Sequence, residues 1–431
     1  MSEYTLAGVY VEQTTDDIRP SPLDTGRYVA VIGHMASGSS DYDVADSDLF
    51  TTGNTGTVFV YDSLVDYKNK MGIALGTNWS SGTYDLGATS DSPYCPDHNF
   101  MRAVELAFAG GAKKVYGCVL SGTGTDAETS PTGLSEALSA LRAFDDVYYL
   151  VVAGANPIAA VVTEVVAASA ASEGKERVYV TGTSLQRALS GSSYTYSFPT
   201  ADTQQSDTGR VICLLANTTY KFTATSGSTE TTDTHLKDYT TFASGTHEIG
   251  GNFLAAYVAG RLSSQDAHTP LSYITGWSPS YKGDENLHIF GKTTLESMWG
   301  DHVIFPRRWT NGTNSTWSYD KGWTFTASSA ADVTLITTRQ ILDTIAKDAR
   351  NIMRQYLFSS NTSSTRASAK TSIETKLADR KRQGMIKAFA ANVYASANDE
   401  ANNIMRCQVD VTPVFETLKI VINLTATLQI G

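Results

Sequence analysis

Between Asn99 and Gly182 the chain repeats one rhythm, helix and then strand. Apolar residues at helical spacing over Asn99 to Ala109 stop at Gly110-Gly111, and the β-prone run Lys114 to Leu120 follows. Glycine directly after the last helical turn is a preferred stop, because it takes a left-handed backbone without a Cβ clash. Pro131 to Phe144 reads as helix, Val147 to Ala153 as strand, Pro157 to Ser172 as helix and Arg177 to Gly182 as strand. Tyr28 to Gly33 is an earlier buried strand. Strands separated by helices pair through crossovers, so this part is expected to be an α/β layer with a largely parallel sheet. A chain of 431 residues has room for about three folding units.

The C-terminal third reads differently. Leu335, Ile341, Leu342, Ile345, Ile352, Met353 and Tyr356 recur at helical spacing after Asp332, which predicts one long helix over Asp332 to Leu357 with Asp332 as its N-cap. A second helix is expected from Ala367 to about Ala390, interrupted by Gly384. Two strands follow, Met405 to Val411 and Leu418 to Ile430, separated by Pro413. In the last of them Leu418, Ile420, Ile422, Leu424, Ala426, Leu428 and Ile430 take every even position, so one face is apolar throughout. No sequence follows that could return beside it, and its outer backbone groups are expected to be an edge covered by another chain. Residues 3 to 12 form a second β-prone run, set off by Pro20 and Pro22. The Ser/Thr/Tyr-rich text from Gln186 to Gly250 reads as loop or a small β elaboration, followed by a helix at Phe253 to Leu262 and a strand near Leu287 to Thr293.

Chemistry-bearing motifs are sparse. Gly122-Thr123-Gly124-Thr125-Asp126-Ala127 fits the GxGxxA form of a dinucleotide loop. However, Glu128, Thr129 and Ser130 separate the glycines from the helix that would have to meet the pyrophosphate, and Asp145 and Asp146 precede the next strand where an acid should end it. No GxSxG, HExxH, GxxxxGK[ST] or EF-hand loop occurs. His247-Glu248 and Asp97-His98 are adjacent pairs with no third ligand at fitting spacing. Cys95, Cys118, Cys213 and Cys407 form no CxxC, and the N-terminus lacks a basic and apolar leader, so no secretory signal is expected. The most apolar stretch, Val147 to Thr163, holds Asn156 and Pro157 and reads as strand, turn and helix rather than a membrane span. A net charge of −11 argues against a general nucleic-acid binder. No catalytic, cofactor-binding or metal-ligating residue is assigned. The competing reading is a Rossmann-like α/β enzyme that uses the region of the parallel sheet.

The chain opens with LAGVYVEQ (Leu6 to Gln13). VAVIGHMASG, ELAFAGGAKKVYGCVL and AAYVAGRLSSQDAHTPLSYITGW follow, and then WGDHVIFPRRW, the helix after Asp332, Leu377 to Tyr394 and CQVDVTPVFETLKIVINL. In this order the segments resemble contractile tail sheath proteins of tailed phages, phage-tail-like bacteriocins and contractile injection systems, the first being similar to the family's PGVYVEE opening with Ala7 in place of Pro. The resemblance implies a non-enzymatic structural subunit with an α+β inner domain, an inserted outer α/β domain and terminal strand arms that add to sheets of neighbouring copies. It divides the chain into an arm over 1–22, the outer domain over 23–294 (190–250 matching no sheath pattern), the inner domain over 295–415 and a strand arm over 416–431. The arm residues it implies are Gly8, Val9, Tyr10, Val11 and Glu12 at one end and Leu418, Ile420, Ile422 and Leu424 at the other. Its implied partners are other copies of the chain in a helical array, an inner tail tube protein, and baseplate and terminator proteins. It implies no direct nucleic acid and no membrane insertion. The implied location is a virion tail or tail-like particle assembled in the host cytoplasm. Residues 332–431 carry 13 Lys+Arg against 9 Asp+Glu on an otherwise acidic chain. The densest basic cluster, Arg380, Lys381, Arg382 and Lys387, is expected on the second helix and facing the inner tube, with Lys347, Arg350 and Arg354 of the preceding helix as the alternative.

Overall fold

The computed structural model describes residues 27–34, 57–70, 83–84, 99–120, 133–153, 158–170, 173–183, 186–190, 193–197, 205–215, 218–224, 245–249, 251–271, 300, 302–304, 306–311, 314–319, 322–326 and 331–415. The first half opens with β1 (Tyr28–His34), β2 (Val58–Tyr61), α1 (Leu64–Lys70) and β3 (Thr83–Tyr84). Next come α2 (Asn99–Gly110), β4 (Val115–Leu120), α3 (Leu134–Leu141), β5 (Val147–Val152), α4 (Ala159–Ala168) and β6 (Val178–Thr183). The elements from α2 to β6, with β1, are the ones expected from the rhythm, their ends shifted by up to a few residues; β2, α1 and β3 are additions.

They build a six-stranded sheet in the order β2-β4-β1-β5-β6-β9, with β9 at Val211–Leu215. The β4-β1-β5-β6-β9 pairs are parallel and β2 runs antiparallel to β4. Strand alternation sorts the side chains into two cores. Val29, Val31, Tyr149, Val151, Val180 and Ile212 pack with α2 and with α5 (Gly251–Ser264) on one face. Ala30, Ile32, Leu150, Val152, Tyr179 and Cys213 pack with α3 and α4 on the other. The helices α2 and α5 touch backbone to backbone through glycine. A Cβ on Gly260 would lie 2.1 Å from the Ala107 carbonyl oxygen, and one on Gly110 would lie 2.2 Å from that of Tyr257.

The region 186–250 is not all elaboration. β7 (Gln186–Ser190) and β8 (Ser193–Ser197) form an antiparallel pair, as do β10 (Thr218–Ala224) and β11 (Gly245–Ile249), but β9 completes the main sheet beside β6. The apolar run of β9 is five residues long in polar text with no crossover helix announcing it, so local pattern cannot show which sheet it joins. After α5 come β12 (Pro306–Asn311) and β13 (Asn314–Tyr319), another antiparallel pair. Val303, Ile304, Tyr319, Phe325 and Ile336 belong to the two cores that flank the main sheet, although they lie beyond the boundary expected at 294. The strand expected near Leu287 to Thr293 lies outside the described residues.

The long helix expected from Asp332 is in fact two, α6 (Ala331–Thr334) and α7 (Ile336–Arg354). Leu335 between them is extended (φ −106°, ψ 129°) and bridges Trp323. Thr324 N–H donates to Thr334 O and Ile336 N–H to Gly322 O, each at 2.9 Å. A distant segment thus takes the backbone groups that helix continuation would need, and Asp332 is not the N-cap. Then follow α8 (Ser363–Arg382), β14 (Ile386–Tyr394), α9 (Ala397–Ala401) and β15 (Arg406–Pro413). Gly384 does not interrupt a helix that runs to Ala390; it ends α8 with φ +79°, and the residues after Met385 are strand. A short apolar window fits both periods, and pairing with β15 decides for strand.

Candidate functional site

Two features stand out in the C-terminal part: a buried charged joint along α7 and a sheet that has two strands among the described residues. Most of α7 is buried, its charged residues included. Asp343 accepts from both terminal nitrogens of Arg210 (2.5 and 2.9 Å), from Arg339 (3.0 Å) and from the Tyr148 hydroxyl (2.7 Å). Gln340 donates to the Tyr149 hydroxyl at 2.8 Å and accepts from Arg27 at 2.9 Å. Tyr148 and Tyr149 are on β5, and Arg210 immediately precedes β9, so one turn of α7 is tied to the sheet through polar groups shielded from water. Burial raises the Asp343 carboxyl, but the Arg210 and Arg339 guanidiniums outweigh it and hold it below the ordinary carboxylate range.

Two turns further on, Arg350 donates to Gly174 O at 2.5 Å and pairs with Glu176 Oε1 at 3.3 Å. Glu176 Oε2 has no hydrogen-bond partner among the described residues. Burial pushes the Glu176 carboxyl up to about 7, with Arg350 opposing the rise. A carboxyl raised in the fold supports stability fully below its ordinary value, and that support is lost as pH rises through about 7. Wild type is therefore expected to lose stability relative to Glu176→Gln, by an amount on the order of a few kcal/mol, between about pH 5 and about pH 8.5. Urea unfolding of both proteins at the two pH values checks this; a difference that does not change with pH would contradict it.

On the opposite side of α7, Asp348 is held by Arg380 of α8 through two hydrogen bonds of 2.6 and 3.1 Å, with Lys376 at 3.7 Å. This corrects the expected basic cluster. Arg380 is 5% exposed and spent inside the subunit, so it cannot reach an outside partner. Lys381 and Arg382 are exposed on the last turn of α8, and Lys387 is exposed on β14, not on a helix. Of the alternative set, Lys347 and Arg350 are buried and only Arg354 is exposed. The sequence holds the signal for the joint as acid and base residues at helical spacing in an amphipathic helix, but nothing in that spacing tells a buried pair from a solvated one.

β14 and β15 pair antiparallel from Ile386↔Pro413 to Tyr394↔Arg406, and among the described residues no third strand joins either side. Ala391 and Val393 are buried against α8, whereas Phe389, Cys407, Val409 and Val411 on the same core are only partly covered. The far end is fixed by α9, where Ser396 and Asp399 cap each other and Arg406 bonds Asp399 at 2.9 Å, holding that carboxyl far below its ordinary range. The arm residues Gly8 to Glu12 and Leu418 to Leu424 lie outside the described residues, as do Gly122 to Ala127 and Asp97-His98. His247-Glu248 is on β11, facing Tyr220 and Thr219 across the pair. No group of three His, Cys, Asp or Glu is placed to hold a metal, and no helix is long and apolar enough to cross a membrane, among the described residues.

Residues 328–427 match the phage tail sheath C-terminal domain family. The chain shares its fold with the anti-feeding prophage helical sheath in its contracted state (13% identity, TM-score 0.61, covering 98% of this chain and 99% of that one). The sheath complex of an extracellular contractile injection system, also contracted, is similar at 14% identity and TM-score 0.59, covering 99% and 98%. A sheath tail protein from Desulfitobacterium hafniense matches at 11% identity and TM-score 0.54, covering 94% and 100%. No curated protein sequence matches the chain. The resemblance to contractile tail sheath proteins is thus borne out in the C-terminal domain by family and in the whole chain by fold.

Proposed function

We propose that this chain, which has the fold of contractile sheath proteins and carries a phage tail sheath C-terminal domain, is a sheath subunit. It polymerises helically around an inner tube and contracts to drive that tube through a target envelope. The observation that carries the reading is the β14/β15 pair, which no third strand joins among the described residues and whose apolar face is only partly covered. A strand with one apolar face, such as Leu418 to Ile430, supplies what that sheet lacks when it comes from a neighbouring copy. The N-terminal run at Gly8 to Glu12 is assigned the same role. An open head-to-tail contact of this kind extends without closing.

In this organisation 1–22 and 416–431 are arms, about 295–415 is the inner unit and about 23–294 the outer one, with Val303, Ile304, Tyr319, Phe325 and Ile336 of the inner unit packed into the cores of the outer sheet. The buried α7 joint suits a subunit that shifts between lattices as one body. Baseplate and terminator proteins would meet the ends of the polymer, and the particle would be a tail or tail-like device assembled in the host cytoplasm. The sheath reading is preferred to the enzyme reading because the family match of residues 328–427 and the fold of the whole chain are both those of sheath proteins.

The inner-tube contact is assigned to Lys381, Arg382 and Lys387. Reversing the three to Glu is expected to leave polymer formation intact but to reduce tube-filled, extended particles about tenfold or more, through like-charge repulsion repeated along the contact. High salt should move wild type the same way, because exposed pairs are screened over about 8–10 Å near physiological ionic strength. Electron microscopy of the chain co-expressed with its tube protein scores filled against empty particles. Normal filling by the reversed variant would return these residues to solvent.

A further inference from the structure

We infer that Phe358 is an anchor between subunits, an aromatic side chain held out from the α7–α8 turn to enter an apolar recess on a second copy of this chain. It is 89% exposed, far beyond the other large apolar residues exposed among those described, Val65 at 54%, Phe415 at 42% and Tyr394 at 40%. Its backbone is left-handed, with φ +64°. The turn that ends α7 needs this conformation, and glycine would adopt it freely, whereas a residue with a bulky side chain adopts it at a cost. Within the subunit the ring buries almost nothing in return. Strain kept for a side chain that does no work in its own fold points to work outside it.

The turn is also well tied, so the ring is presented in a defined place. Ser359 N–H and hydroxyl both reach Tyr356 O (3.2 and 2.6 Å), and the Tyr356 hydroxyl meets Ser372 Oγ at 3.0 Å. Asn361 donates to Ile404 O at 2.9 Å and accepts from Arg366 at 2.9 Å, while Thr362 caps α8 through Thr365 N–H at 3.2 Å. An aromatic ring presented this way loses little freedom on binding, which is how interface hot spots are built.

Two observations favour another copy over the tube as the occupant. Phe358 lies beyond the first turn of α8 and Lys381 and Arg382 in its last, and its 20 residues span about 30 Å. A ring and a cation patch at opposite ends of the helix address different surfaces if the patch meets the tube. Second, the Asn361 bond to Ile404 places the turn beside the start of β15, at the end of the sheet whose open sides are assigned to neighbouring arms. The anchor is thus continuous with the contact between copies. It rests on the sheath reading, and its test separates the two.

The purified full chain is compared with Phe358→Ala, Phe358→Gly and Phe358→Leu, alone and with tube protein. The measurements are sedimentation for polymer and thermal unfolding for the dissociated subunit. Ala and Gly should raise the concentration needed for polymer about tenfold or more, and Leu should restore part of it. The subunit should melt no earlier with Ala and later with Gly, which relieves the left-handed strain. Polymer formed equally by wild type, Ala and Gly would overturn the anchor and leave the sheath reading standing. Normal polymer with loss of tube co-sedimentation would give Phe358 to the tube and overturn it as well. A wild-type chain that never polymerises would end both.

Discussion

Truncation of Asp343 to alanine should cost about 3–5 kcal/mol, because it removes the carboxylate that two buried guanidiniums, Arg210 and Arg339, share. The side chains of Arg210, Arg339 and Asp343 are at most 1% exposed, so water cannot stand in for the missing carboxylate. The Tyr148 hydroxyl loses its acceptor in the same step. Asp343→Asn keeps the shape and one acceptor and should lose clearly less. Since the acid is held below its ordinary range, its contribution is present above the usual carboxylate value and fades as pH falls toward the lowered one. The variant's deficit against wild type should therefore shrink in acid. Urea unfolding gives the size, and limited proteolysis shows whether α7 parts from the sheet before either unfolds. A loss below about 1 kcal/mol would mean that the joint relaxes to admit water, and that α7 is not the rigid link proposed for the contraction step.

Deletion of Leu418 to Gly431 should abolish polymer and leave a folded subunit. Up to Phe415 the described C-terminal unit closes on itself: β14 and β15 pair over their length, and Val414 N–H reaches Met385 O at 3.0 Å. Ala369, Ile373, Leu377, Ala391 and Val393 are buried in one core with Ile341, Ile345 and Met353 of α7. Removing a strand that completes a neighbour's sheet costs the neighbour, not the donor, so the melting temperature of the dissociated subunit should move by no more than about 2 °C. Circular dichroism, thermal melting and electron microscopy check the three parts of the expectation. A truncated chain that unfolds would show that the strand serves its own subunit, and the linkage between copies would have to be sought at the N-terminal arm.

The parallel layer was legible because its periods are long and its punctuation is physical. Gly110-Gly111 stops α2, and strands such as Val147–Val152 are apolar on both faces because helices cover both sides of the sheet. The contacts between those elements were less so. That Gly110 and Gly260 lie back to back is invisible in two helices some 150 residues apart, since either glycine alone reads as a weak point in its own helix. The same limit explains β9, whose five apolar residues are a strand by pattern but find their place beside β6 only through the whole sheet. At the candidate site, the charge excess of residues 332–431 was readable, and so was the apolar face of the last strand. Arg380 beside Lys381 and Arg382 reads as one cluster, yet the first is spent on Asp348 and the other two face solvent.

What the sequence determined by itself is most of the segments and their kind: that Gly110-Gly111 stops α2, which runs alternate, which end carries the basic excess. These follow from interactions within a few residues, where backbone sterics and side-chain period act without help from distant parts of the chain. Only the tertiary structure decided which charges are buried, why Leu335 breaks a helix that its own spacing continues, and that Gly384 ends a helix where β14 begins. In each case the deciding partner is remote in the chain, Trp323 for Leu335, Asp348 for Arg380, β15 for β14, and a backbone or side-chain group bonds to the partner that folding brings to it.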